Sequence, residues 1–251
     1  MAEARRRSRR GTIAAIVVVA VVVVLVLIEV VARILVGRIT AQQVEQNLPD
    51  GLSADVSATA TGACVTCELI GGTLSGIHVT SDDVTFGDVT GAAAVDARGV
   101  KLGEPVTVGN LNGSIGIDED ELNALLQEVA AQAGIEIHSI ELRDDGIAYA
   151  TELDIFGQTV GLSVTANLEP RSGGRLRVVA EQVSITSGAG SAQVDLDADR
   201  FSFEMCLAEH LPAQVRLTSV EPSAQHVDLF FRSTSAIALD ETAFTELGSC
   251  G

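Results

Sequence analysis

An uninterrupted apolar run from Ile13 to Ile28, preceded by Arg5, Arg6, Arg7, Arg9 and Arg10, constrains this chain more than any other feature. A helix drawn over the run has no polar face, which argues against the amphipathic surface helix of a soluble domain. Carried past Glu29 and Arg33 to Val36, such a helix measures about 36 Å at ~1.5 Å per residue. A hydrocarbon core is about 30 Å thick, so the helix is long enough to cross it. Glu29 and Arg33 stand four apart on one helical face in the last third, where they pair and reach the headgroup level. Flanking arginines are retained on the cytoplasmic side. The expectation is a single-pass anchor in the plasma membrane, N-terminus cytoplasmic and bulk extracytoplasmic. A cleaved signal peptide is the alternative, but the run exceeds a usual signal core and no A-x-A pattern closes it.

The chain then divides into a basic tail at 1–12, the anchor at 13–36, a linker helix at 37–52 stopped by Pro49-Asp50-Gly51, and an extracytoplasmic domain at 53–251. Charge is distributed unevenly. Of 16 basic and 34 acidic residues, seven basic and two acidic lie in the first forty positions, which leaves the remainder near −23. Such a surface repels phosphate backbones and excludes nucleic acid as a partner. It also disfavours broad adsorption to anionic headgroups, although an apolar slot would still accept a lipid. Stacking platforms for sugars or single strands are disfavoured by aromatic poverty: no Trp, one Tyr and seven Phe.

Small and β-branched residues in short alternating runs, broken by glycine, indicate a strand-rich body. Ser53 to Thr61 reads as one strand, and Val89 to Val95, Gly99 to Val108 and Leu111 to Ile117 as three more. Asn112-Gly113 marks a type I′ hairpin. Ile135 to Leu142 with Ile147 to Leu153, and Gln158 to Leu168 with Leu176 to Ile185, form two longer hairpins. Gln193 to Phe203 alternates Asp195, Asp197 and Asp199 with apolar residues and reads as a strand with a solvated acidic face. Further strands fall at Val215 to Val220, His226 to Phe231 and Ala236 to Leu239.

One helix interrupts the strands. Asp118 caps it, Glu121 completes a capping box, and Ile117 with Leu122 forms a hydrophobic staple. Leu122, Leu125, Leu126, Val129 and Ala133 make its apolar stripe, and Gly134 ends it. The expected fold class is therefore α+β: an N-terminal transmembrane helix followed by a highly curved antiparallel sheet wrapping an amphipathic helix.

The four cysteines, Cys64, Cys67, Cys206 and Cys250, allow three pairings in an oxidising exterior. Cys64 with Cys67 and Cys206 with Cys250 is the favoured set, because the second bond would staple the C-terminus to the body. A redox or zinc role for Cys64-Val65-Thr66-Cys67 lacks a second CxxC, a spaced histidine and a following helix start.

Catalytic signatures are missing. Gly72-Thr73-Leu74-Ser75-Gly76 has the wrong spacing for a nucleophile elbow. His78, His138, His210 and His226 share no metal-binding grouping, and no phosphate-cradling glycine loop occurs. The chain is expected to be no enzyme and to need no cofactor or metal; a hydrolase triad dispersed along the sequence is the minor alternative.

Leu69-Ile70-Gly71-Gly72, the strand end Val79-Thr80-Ser81-Asp82-Asp83-Val84, Ile115-Gly116-Ile117 with Leu122-Asn123-Ala124-Leu125, and Asp145-Gly146 before a strand together resemble the LmeA-type phospholipid-binding proteins of actinobacteria. The resemblance implies a tubular lipid-binding fold, similar to half of the bactericidal/permeability-increasing protein architecture, and a role in envelope glycolipid assembly. At Cys64-Val65-Thr66-Cys67 the chain departs from the family's usual Pro-Phe-Leu-like segment. The function expected is holding or transferring a phospholipid or glycolipid precursor at the membrane, with a noncatalytic envelope scaffold as the alternative. Leu122, Leu125, Leu126 and Val129 are the candidate lipid-lining residues; an ordinary filled core is the competing account of the same stripe.

Overall fold

The computed structural model describes residues 3–46, 48, 51–86, 89–123, 137–155, 158–185, 192–193, 198–240 and 246–250. Helix α1 runs unbroken over Glu3–Gln46. Within Val18–Gln46 its most apolar window has a mean hydropathy of 3.0 and none of that window is buried, so length and composition both suit a membrane crossing. Beyond the apolar run the same helix joins the body. Ala32 and Val36 pack on a cluster built from Ala60, Val65, Leu74 and Ile77. A Cβ at Gly37 would stand 2.3 Å from the Ala58 carbonyl oxygen, so only glycine permits this approach of helix to strand. Farther along, the Glu45 carboxylate accepts the Val56 N–H at 3.1 Å.

The strands form two antiparallel sheets. In the first the order is β1 (Leu52–Ser53), β3 (Thr73–Phe86), β4 (Val89–Lys101), β5 (Val106–Asp118), β13 (His226–Ser233) and β12 (Val215–Pro222), with β2 (Ser57–Ala60) on β3 and β14 (Ile237–Leu239) on β5. The second runs β10 (Ala192–Gln193), β9 (Arg175–Ile185), β8 (Gln158–Arg171), β7 (Gly146–Ile155) and β6 (Ile137–Arg143), with β11 (Phe203–Cys206) on β9. The protein is α+β with large antiparallel sheets, and among the described residues there is no closed barrel; the described strands divide between two sheets where the sequence suggested one.

Register explains which faces meet. Residues directly opposite across a ladder point to the same side, and successive residues alternate. Val79, Val95, Gly113, Phe231 and Leu217 form one row of the first sheet, and Ser81, Ala93, Ile115, Leu229 and Val220 another. Between them lies Thr80, Ala94, Ser114 and Phe230. One face is thus apolar, while the other alternates polar residues with Ala94 and Phe230. At the β13 end the apolar face packs on the inner residues of the second sheet, among them Tyr149, Leu162, Val164 and Val178, in the main core. At the β3 end it packs on α1 and on helix α2 (Val65–Ile70).

Several local expectations are overturned. Asn112 and Gly113 do not turn; they lie inside β5, Asn112 paired with Asp96 and Arg232 and Gly113 with Val95 and Phe231. Neighbours on both sides hold that stretch extended, and the chain reverses instead at 102–105, so three anticipated strands become two long ones. Ser53 to Thr61 is broken into β1 and β2. Helix α2 (Val65–Ile70) starts inside the CxxC, with Cys64 at its N-cap and the Cys64 sulfur accepting the Cys67 N–H. Both Cys64–Cys67 and Cys206–Cys250 are disulfide-bonded. The Glu68 carboxylate on α2 accepts the Ser75 hydroxyl and N–H at 2.6 and 2.8 Å, which holds its pKa below the usual value.

The segment expected as a strand from Gln193 to Phe203 contains a 3-10 turn at Ala198–Phe201. Side chains of the second sheet's neighbourhood take its place in the ladder: the Tyr149 hydroxyl donates to the Phe201 carbonyl at 2.5 Å, and the Ser202 hydroxyl accepts the Ala180 N–H at 3.0 Å. Asp195 and Asp197 lie outside the described residues.

Two outcomes follow from this packing. Gly37→Val should lower stability by about 1–3 kcal/mol through overpacking against Ala58, read by denaturant unfolding of the detergent-solubilised chain. Burial pushes the Tyr149 phenol up to about 12. Because the group loses its proton more readily unfolded, stability it confers is intact below its ordinary pKa near 10 and is lost as pH rises from there through 12. As Tyr149 is the one tyrosine and there is no Trp, phenolate absorbance should titrate as a single step near 12 in the folded chain and near 10 in denaturant.

Candidate functional site

The apolar face of the first sheet is incompletely covered at its centre. Its margins are buried: Ile77 beside α2, and Phe231, Val227 and Val220 against the second sheet. Between them Val79, Gly91, Ala93, Val95, Gly113 and Ile115 are only half-buried. All but Ile115 are glycine, alanine or valine, so the sheet surface there is low and smooth. Ser81 shares the row of Ala93 and is 6% exposed, yet its hydroxyl has no hydrogen-bond partner among the described residues. An unpaired buried hydroxyl is costly, and this one lies on the half-covered apolar strip.

A third helix, α3, covers 119–123 among the described residues and bonds to both sheets. The Glu121 carboxylate accepts the Thr90 N–H of β4 at 3.0 Å. Toward the other sheet, the Asn123 side chain donates to the Ile140 carbonyl at 2.7 Å and accepts the Ile140 N–H at 2.5 Å, pairing with the edge of β6 as a further strand would. The Glu119 carboxylate accepts the Leu142 N–H at 2.7 Å. Glu121 therefore bonds to β4 where a capping box was expected: β5 continues through Asp118, and its acids are drawn to strand N–H groups whose partners are missing. Leu122 packs on the main core beside Ile115 and Ile117. Leu125, Leu126 and Val129 lie outside the described residues.

The opposite face is polar. His78 pairs with Asp96 at 2.9 Å, His226 with Asp228 at 3.1 Å, and in the second sheet His138 with Glu152 at 3.6 Å. An open groove of about 470 Å³ lies on this side, lined by Asp82, Asp118, Glu121, His226 and Asp228 over the backbone of Gly91 and Gly116. Its carboxylates repel an anionic headgroup. Among the described residues no three His, Cys, Asp or Glu side chains gather as metal ligands. The apolar strip is therefore the surface suited to an uncharged hydrocarbon.

A family model described as LmeA-like phospholipid-binding matches residues 28–231. The chain belongs to that family. Neither a curated protein nor a solved structure matches it. The LmeA-like segment starts at Ile28 and so contains the part of α1 that docks on the body, the second sheet, and the first sheet as far as Phe231 in β13.

In this LmeA-like chain the sequence singled out Leu122 as a lining residue, gave Asn123 only as part of the family-like stretch, and did not mark the small-residue strip. Asn123 bears no local mark, since its partner strand starts at Ile137. Asn123→Ala would leave Ile140 with both groups unpaired at a sheet edge. It should lower stability by about 1–3 kcal/mol in denaturant unfolding, without loss of secondary structure by circular dichroism.

Proposed function

We propose that the chain is a membrane-anchored extracytoplasmic protein that holds or transfers phospholipid or glycolipid precursors in cell-envelope assembly. The half-covered apolar face of the first sheet, with Ala93 and Gly113 at its centre, carries this reading. Membership of a phospholipid-binding family supports it. Low side chains let an acyl chain lie close to the backbone, and the gain is apolar area removed from water. At ~0.8 kcal/mol per methylene, eight buried methylenes contribute about 6 kcal/mol. The neighbouring leaflet supplies the ligand; the anchor, oriented with its arginines in the cytoplasm, keeps the body within reach of it. No step of covalent chemistry is needed.

Native mass spectrometry of the full chain released from nanodiscs tests the proposal. A co-purifying phospholipid, and uptake of added phospholipid by emptied protein, are expected. Ala93→Phe should weaken uptake at least about tenfold, equivalent to ~1.4 kcal/mol, with circular dichroism unchanged. Protein that emerges empty and takes up no lipid would instead favour a scaffold with a filled core.

A further inference from the structure

Outside α1, the large apolar residues left exposed among the described residues are five: Leu69, Ile70, Leu102, Leu239 and Leu247. Four of them share one end of the first sheet. Leu69 and Ile70 close α2, and Gly72, two residues on, accepts the Leu102 N–H at 2.9 Å across the start of the β3–β4 ladder. β14 pairs Leu239 with Val106, at the same end of β5. Ile70 is 86% exposed, and Leu69, Leu102 and Leu239 are 37%, 41% and 41% exposed. Single exposed leucines are ordinary, but a group gathered at one tip is not.

The level of this tip along α1 follows from contacts. Gly37 abuts the Ala58 carbonyl, and the Arg33 guanidinium reaches Ala60 and Gly62. Four helix residues (about 6 Å) thus match two strand residues (about 6.6 Å), so α1 and β2 run side by side. Ala58 pairs with Val79, and β3 extends six residues from Val79 to its start at Thr73, about 20 Å. The helix covers that distance in about 13 residues, which brings the tip level with about residue 24. That level is inside the apolar run.

We propose that this tip, with Ile70 at its point and Leu69, Leu102 and Leu239 around it, is a second membrane contact that seats in the lipid surface through which α1 passes. With the bilayer boundary at Ile28 and Glu29, the tip enters by about 6 Å, the depth typical of interfacial apolar faces. Lys101 and Glu104 flank Leu102 and are exposed, which keeps the rim of the turn polar and limits entry to the leucine. The occupant is the bilayer because the apolar stretch of α1 emerges beside the tip. This inference rests on the anchor reading of α1 and is independent of lipid uptake.

The four native cysteines are in disulfides, so one introduced cysteine can be labelled alone. Full chains carrying Ile70→Cys, Leu102→Cys, Val22→Cys or Gln225→Cys, labelled with nitrobenzoxadiazole, are reconstituted in phosphatidylcholine vesicles containing a doxyl-chain quencher. Gln225 is exposed at the far end of the sheet, between β12 and β13. Labels at 22, 70 and 102 should be quenched several-fold more strongly by the lipid quencher than the label at 225, and should resist aqueous iodide. Quenching at 22 with labels at 70 and 102 behaving like 225 would overturn the tip contact and leave the anchor standing. Shielding from iodide without lipid quenching at 70 would assign the tip to a protein partner and overturn the proposal equally. Failure of lipid quenching at 22 would remove the anchor, and the tip contact with it.

Discussion

Two charged side chains decide how the body sits on its helix. Glu29 accepts the N–H groups of Val65 and Thr66 at 2.7 and 3.1 Å, which start α2, and pairs with Arg33 at 3.0 Å. Arg33 in turn donates to the carbonyls of Gly62 and Ala63 at 2.7 and 3.2 Å. Every one of these bonds involves an ion, so each is stronger than a neutral bond and each partner depends on the others for satisfaction. The clasp sets the height of α2 along α1. From that height follow the packing of Val65 on Ala32 and Val36, the start of β3, and the position of the exposed tip.

Part of this was legible in the chain itself. The four-residue spacing of Glu29 and Arg33 announces a pair, and the apolar run announces a helix without a polar face. The hairpins β6–β7 and β8–β9 are written as alternation on either side of Asp144-Asp145-Gly146 and Ser172-Gly173-Gly174. The targets of the clasp were not legible, because the backbone groups of residues 60–66 carry no mark of side-chain chemistry. Asn112-Gly113 misled for a related reason: a turn signal is local, whereas β5 is held straight by β13, more than a hundred residues away. Leu122 could be read from helical spacing, but the strip at Ala93 and Gly113 emerges only once register aligns five strands.

The two faces of the first sheet divide the chemistry. Acidic groups are concentrated on the outer side, where His78 and His226 each meet a carboxylate, while the inner side offers hydrocarbon and one unpartnered hydroxyl. A strongly negative surface would keep the body off anionic headgroups by itself. The contact with a leaflet that we propose would therefore rest on apolar features, the helix first and the tip beside it.

The side chains of α3 tie β4 to β6, and the tie runs through Thr90 on one sheet and Ile140 and Leu142 on the other. Parting the sheets at that end means breaking one set of these bonds, so the molecule is stiff there in the manner of a clothes-peg at its spring. Any breathing motion has its largest amplitude at the jaws, the ends remote from α3. A change in the spacing of the sheets would thus be resisted first by the bonds at Thr90, Ile140 and Leu142.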